Sequence, residues 1–218
     1  IKAKSINLCE KPLADALGMD LDITEPTGVM VVDIGADTTE ISVISLGGLV
    51  LSELLPYGGN KMDESIVTYL KRKFNLLIGT KTAKSLKEAI GNAFSTTEEK
   101  MMIVGRDVVS GLPIEMEIGS DIIYEGMKDD LESICTSIKI LLEKVPPELA
   151  KDIVRSGIYL TGGGSKVKGF ASYITNLTNI KVNVAQNGEE TVVIGLGKVL
   201  NDEKFRRFGY SMKTRIFS

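Results

Sequence analysis

Three stretches of this chain bring together residues whose types and spacing could do chemistry. In VMVVDIGADTTEISVISLGG, the apolar run Val29 to Val32 ends at Asp33, a tight turn with Gly35 follows, and Thr38 and Thr39 lead into a second β-rich run, Ile41 to Leu46. The pattern reads as a hairpin. Its turn can aim backbone N–H groups and threonine hydroxyls at a phosphate, and a lone carboxylate beside them suits a phosphate-bound Mg²⁺. The same D-x-G spacing also makes an ordinary hairpin turn. In IYLTGGGSKVKGF, a short strand from Ile158 to Leu160 runs through Thr161 into Gly162, Gly163 and Gly164, ahead of a helix carrying Val167, Phe170, Ile174 and Leu177. Strand, glycine turn and helix start together make an anion cradle, although the pattern is neither a Walker A loop nor G-x-G-x-x-G. Lys11 is the third feature. It stands at the mouth of a helix that Pro12 opens and Gly18 ends, where a helix N-terminus would meet an anion or where a lysine is simply solvated.

Composition excludes much else. The 218 residues are 43% hydrophobic with a formal charge of −3, as in a soluble globular protein and too little basic for nucleic acid. No apolar run reaches the ~20 residues of a membrane span. There is no histidine, which removes Ser-His-Asp and Cys-His nucleophile systems and imidazole acid–base catalysis. Cys9 and Cys135 match no metal or redox spacing, so two buried thiols in a reducing cytoplasm are expected. Because the chain opens on Ile1, a preceding segment is expected as well.

The elements that must position these residues follow in order. A polar linker, Asp20 to Gly28, leads into the hairpin, and a third strand, Leu49 to Leu55, completes a meander. Met62, Ile66, Tyr69 or Leu70, and Phe74 recur at helical spacing after Gly58-Gly59-Asn60. Residues 80 to 94 read as a helix with Ala83, Leu86 and Ala89 or Ile90 on its apolar side and Lys84, Lys87 and Glu88 on a solvated side. Strands at Lys100 to Val104 and Ile114 to Ile118 form a hairpin around GRDVVSGLP. With the preceding helix they make an inserted α+β module too small to be stable alone. Ser120 to Val145 is the longest helical pattern and Pro146-Pro147 stops it. A short helix follows, closed by Gly157. ETVVIGLGKVLN is one more helical or strand-to-helix segment. The tail from Lys204 to Ser218 interleaves Lys204, Arg206, Arg207, Lys213 and Arg215 with aromatic residues, as in a segment that docks on an anionic membrane surface or in a frayed terminus.

Two phosphate-type bends in one chain resemble the nucleotide-binding half shared by actin, Hsp70 chaperones and sugar kinases. Within that superfamily DIGADTTEISVISLGG, the Gly58 to Glu64 helix start, NLLIGTKTA, GRDVVSGLP, PPELAKDI, GIYLTGGGS and GLGKVL look like the bacterial actin MreB family, in order and over nearly the whole chain. The resemblance implies an α/β, actin-like (ribonuclease H-like) lobe with a mixed sheet flanked by helices and a small inserted α+β subdomain. Residues 1–28 would belong to the first lobe, 29–74 and 120–188 to the nucleotide-binding core of the second, 75–119 to the insertion, and 189–218 to a return to the first lobe with a basic tail. It further implies ATP or ADP with Mg²⁺ in the cleft between lobes. Asp33 would hold the metal, Gly35 and Thr38 would face the β and γ phosphates, Gly162, Gly163 and Gly164 would line the α-phosphate and adenosine, and Lys87 with Glu88 would lie near ribose and base.

The departures bear on mechanism. Where the family reads E-E-P, this chain reads Glu10-Lys11-Pro12, so the glutamate that orients the attacking water is replaced by Lys11, an ammonium with a reference pKa of ~10.4 that is no proton acceptor at neutral pH. D-I-G-G-G-T is here D-I-G-A-D-T, placing Ala36 and Asp37 near the γ-phosphate, and a ribose-side glutamate appears as Lys84. The expectation is an actin-like cytoskeletal protein of the cytoplasm that binds ATP or ADP and polymerises into paired filaments serving cell shape or motility at the inner face of the membrane, with hydrolysis weakened or lost. The alternative is an active ATPase or small-molecule kinase of the same superfamily.

Overall fold

The computed structural model describes residues 5–95 and 99–211. Two strands, β1 (Asn7–Leu8) and β2 (Val29–Ile34), flank a short helix, α1 (Lys11–Gly18), and β2 continues into β3 (Thr39–Ser45) and β4 (Gly48–Leu55) as an antiparallel meander. Every residue of β2 is buried, as befits a strand covered on both faces. After α2 (Gly59–Phe74) the chain forms β5 (Leu76–Leu77), α3 (Thr80–Ile90), β6 (Lys100–Asp107) and β7 (Pro113–Gly119), the three strands making a separate small sheet in the order β5-β6-β7. Then α4 (Ser120–Lys144), α5 (Pro147–Ser156) and β8 (Ile158–Thr161) return the chain to the main sheet. A 3-10 turn (Gly163–Lys166), α6 (Phe170–Thr178) and β9 (Val182–Val184) follow, with α7 (Thr191–Asn201) and β10 (Tyr210–Ser211) at the end.

The main sheet has the order β4-β3-β2-β8-β9, with β8 parallel to β2 and β9 parallel to β8. Side chains alternate across it. Met30, Val32 and Ile34 enter the larger core with residues of α2, α4 and α6, while Val29 and Val31 face a smaller core with Leu13, Leu17 and Val199 of α1 and α7. By the same parity Asp33 lies on the α1 face, opposite Glu40 of β3 and beside Thr161 of β8.

Several boundaries differ from the sequence reading. The α3 helix stops at Ile90 rather than running to residue 94: Gly91 takes extended dihedrals, and Ala93 instead donates its N–H to the Lys168 carbonyl at 2.8 Å. The hairpin β6–β7 is longer than expected because its register continues to Arg106–Pro113. The helix after the glycine turn begins only at Phe170, past Gly169 with φ 75°, and Val167 precedes it. ETVVIGLGKVLN resolves to helix, and the start of the tail is packed: Phe208 is buried against Gly47, and β10 pairs antiparallel with β1. Lys213 and Arg215 lie outside the described residues. Cys135 is buried as expected, whereas Cys9 is partly exposed. No helix among the described residues is long and apolar enough to cross a membrane.

Candidate functional site

The hairpin turn after β2 is gripped from below by the start of α2. Gly59 N–H donates to the Gly35 carbonyl at 3.0 Å and Asn60 N–H to the Ala36 carbonyl at 2.8 Å, so orphan donors of the helix N-terminus fix the bend. Gly58 is required for this approach, since a Cβ there would meet the Ala36 oxygen at 2.5 Å. Asn60 also donates its side-chain amide to the Asp37 carboxylate at 2.7 Å. Gly35 spends its own N–H on the Thr38 carbonyl within the turn.

The glycine turn after β8 comes to the same place. A cavity of about 400 Å³ is lined by Gly35, Ala36, Gly59, Asn60 and Asp63 on one side and by Gly163, Gly164, Lys166 and Glu189 on the other, with Lys84, Lys87 and Glu88 of α3 closing it. Gly162 has φ 81°, and a Cβ there would collide with the Asp33 carboxylate and the Ile34 carbonyl. Its N–H donates to the Gly188 carbonyl at 3.1 Å, so Gly162 shapes the turn while Gly163 and Gly164 face the cleft.

Lys87 is not on a solvated helix face. It is buried, its ammonium 2.7 Å from Asp63 and donating to the Gly59 carbonyl at 2.6 Å, because α3 packs on α2 at this point. Burial raises the Asp63 carboxyl above its ordinary range despite that ion pair. Lys84 and Glu88 are exposed, paired with each other at 3.7 Å.

Lys11 is not simply solvated either. Its ammonium contacts the Asp33 carboxylate and sits 3.7 Å from Glu40. Burial alone would lower its pKa, yet the bond to Asp33 and the charges of Asp33, Asp15 and Glu40 outweigh it and hold the ammonium above its ordinary value. The sequence puts a phosphate-bound Mg²⁺ on Asp33. In the structure that carboxylate already carries a cation, the Lys11 ammonium, so a metal at Asp33 would have to displace it or bind through its own waters.

Sequence reasoning missed Asp15, Glu40 and Asp63. Asp15 is one helical turn beyond Lys11, and Glu40 faces Asp33 across the hairpin register, so both signals were present. Asp15 is buried, accepting a 2.6 Å hydrogen bond from the Thr191 hydroxyl, which lies 2.9 Å from that of Thr161. This chain of contacts ties α1 and α7 to the glycine-turn strand.

A family model described as MreB/Mbl protein matches residues 1–207. The chain belongs to that family. The cell shape-determining protein Mbl of Bacillus subtilis (strain 168) is 38% identical over 200 residues, covering 91% of this chain and 60% of that protein. The cell shape-determining protein MreB of Escherichia coli (strain K12) is 40% identical over 199 residues, 91% of this chain and 57% of that one. The chain thus spans less than two thirds of the curated MreB and Mbl proteins it matches. Among solved structures, MreB5 of Spiroplasma citri bound to AMPPNP superposes with a TM-score of 0.85 at 33% identity, covering 91% of this chain and 59% of that one. A MamK double helical filament matches at 0.70 and 25% identity, over 88% and 59% of the two chains. The fold is accordingly actin-like, an α/β mixed sheet flanked by helices.

Proposed function

We propose that this chain is part of an actin-like cytoskeletal protein that binds ATP or ADP in the cleft between its two bends, polymerises into filaments serving cell shape or motility, and hydrolyses nucleotide weakly or not at all. The observation that carries this reading is convergence: Gly35 and Ala36 of one bend and Gly163 and Gly164 of the other line one cavity. Its support from relatives is that MreB5 structures hold AMPPNP and ADP, and that MamK forms a double helical filament. The backbone of both bends would cradle phosphates, and Lys84, Lys87 and Glu88 would lie toward ribose and base.

Lys11 governs the hydrolysis part of the proposal. A water poised to attack a terminal phosphate needs an acceptor for its proton, and an ammonium held in its charged form by three carboxylates offers none. Losing such a group removes ~10²–10⁴ of rate. Phosphate release by the full-length protein should therefore lie far below that of a relative with glutamate at this position, and Lys11→Glu should raise it. Fast turnover by the unmodified protein would overturn the assignment. The filaments would be paired and lie in the cytoplasm at the inner membrane face, with Lys204, Arg206 and Arg207 available to anionic lipid.

A further inference from the structure

The cation beside Asp33 in this chain is covalently tethered. Lys11 enters from the first turn of α1, and the α1 face of the main sheet puts Asp33 and Glu40 side by side beneath it. A divalent metal at this carboxylate would have to expel the ammonium from contact with Asp33 and from its place 3.7 Å from Glu40. Mg²⁺ gives up its own waters reluctantly and takes only one or two carboxylates, so it gains little from a carboxylate whose charge is already matched.

We propose that the Lys11 ammonium stands in for the divalent metal, so that this chain binds the nucleotide polyphosphate without requiring Mg²⁺. The inference rests on the nucleotide reading above. Lys11 would meet the phosphates from the Asp33 side and Lys166 from the glycine-turn side. Lys166 is free to turn inward because its 3.0 Å pair with Glu189 is exposed on both partners, and such pairs hold weakly. Charge arithmetic sets what this arrangement can do. Asp33 and Glu40 with Lys11 carry one net negative charge, whereas the same two carboxylates with a divalent metal would be neutral, so the site should grip a triphosphate less tightly than a metal-loaded one and be indifferent to chelation.

The test is binding of a fluorescent ATP analogue to the full-length protein, followed by anisotropy in excess Mg²⁺ and in excess EDTA. The unmodified protein should bind equally in both. Lys11→Gln keeps a polar donor on a side chain one atom shorter and loses the charge. Its affinity in EDTA should fall by about tenfold or more, the worth of one charge-assisted hydrogen bond, and recover with Mg²⁺ once Asp33 is bare. Lys11→Arg keeps the charge and should stay insensitive to EDTA, which preserves the test should Lys11→Gln fail to fold. Affinity of the unmodified protein that collapses in EDTA, or a folded Lys11→Gln that responds to neither condition, would overturn the metal-substitute role and leave the nucleotide site standing. Absence of binding by the unmodified protein in both conditions would instead overturn the nucleotide reading itself.

Discussion

Asp15 has much to lose from being charged. Its side chain is buried, one oxygen accepts from Thr191, and the other has no hydrogen-bond partner. Burial pushes its carboxyl up to about 7; the Thr191 hydrogen bond opposes this, the charge of Asp33 adds to it, and Lys11 and Glu40 contribute in opposite directions. In the unfolded chain the group titrates near 3.8. The folded state therefore holds a proton that the unfolded state has released between those values. Stability is greatest below the lower one, falls as pH rises through the window, and stays reduced above it. Asp15→Asn keeps an acceptor for Thr191 and removes the ionisation. Thermal melts should show the variant more stable than the unmodified protein above about pH 7, by on the order of a few kcal/mol, with a flatter pH profile. Identical profiles for the two proteins would mean Asp15 stays charged at no cost.

At the level of elements, α1 and α7 cross at a contact made of small residues. A Cβ on Gly195 would fall on the Ala14 carbonyl, and one on Gly18 on the Thr191 carbonyl, so each helix supplies a glycine against the other's backbone. The closeness brings Thr191 to Asp15 and holds α1, with Lys11 at its start, over the C-terminal end of β2. Gly195→Ala should therefore cost about 1–3 kcal/mol or more, since neither backbone can retreat without moving the other helix. Gly197→Ala lies in the same helix with open space where its Cβ would go, and should be neutral or stabilising by up to ~1 kcal/mol. Denaturant melts of the pair separate a packing constraint from a mere dislike of altered helix composition.

The molecule as a whole is divided by its main sheet into a larger core on the α2–α4–α6 side and a smaller one under α1 and α7. The cleft opens at the C-terminal ends of the parallel, interior strands β2 and β8, where both bends emerge, so a bound nucleotide would be held from both sides. Full-length protein should pellet in a nucleotide-dependent way; a monomer under every nucleotide condition would favour the kinase alternative. Lys204, Arg206 and Arg207 are exposed while Phe208 anchors the segment that carries them. Co-sedimentation with anionic vesicles should weaken with added salt and with alanine at those three positions. Binding that survives both changes would place the lipid contact elsewhere.

Periodicity and punctuation made the elements legible without coordinates. The β2–β3–β4 meander, the α2 and α4 stripes and both glycine bends are local patterns of burial and backbone freedom, which neighbouring residues encode. Side-chain parity along β2 even puts Asp33 on the face of Val29 and Val31. What local pattern does not encode is which element covers that face. Lys87 reads as a solvated lysine until α3 lies on α2, and Asp15 meets Thr191 across 176 residues of chain. Nor does the turn chemistry of Glu10-Lys11-Pro12 say where an ammonium will rest. The partners of Lys11, Asp15 and Lys87 were decided by tertiary packing alone, because the cost of a buried charge is set by what surrounds it in space and not by its neighbours in sequence.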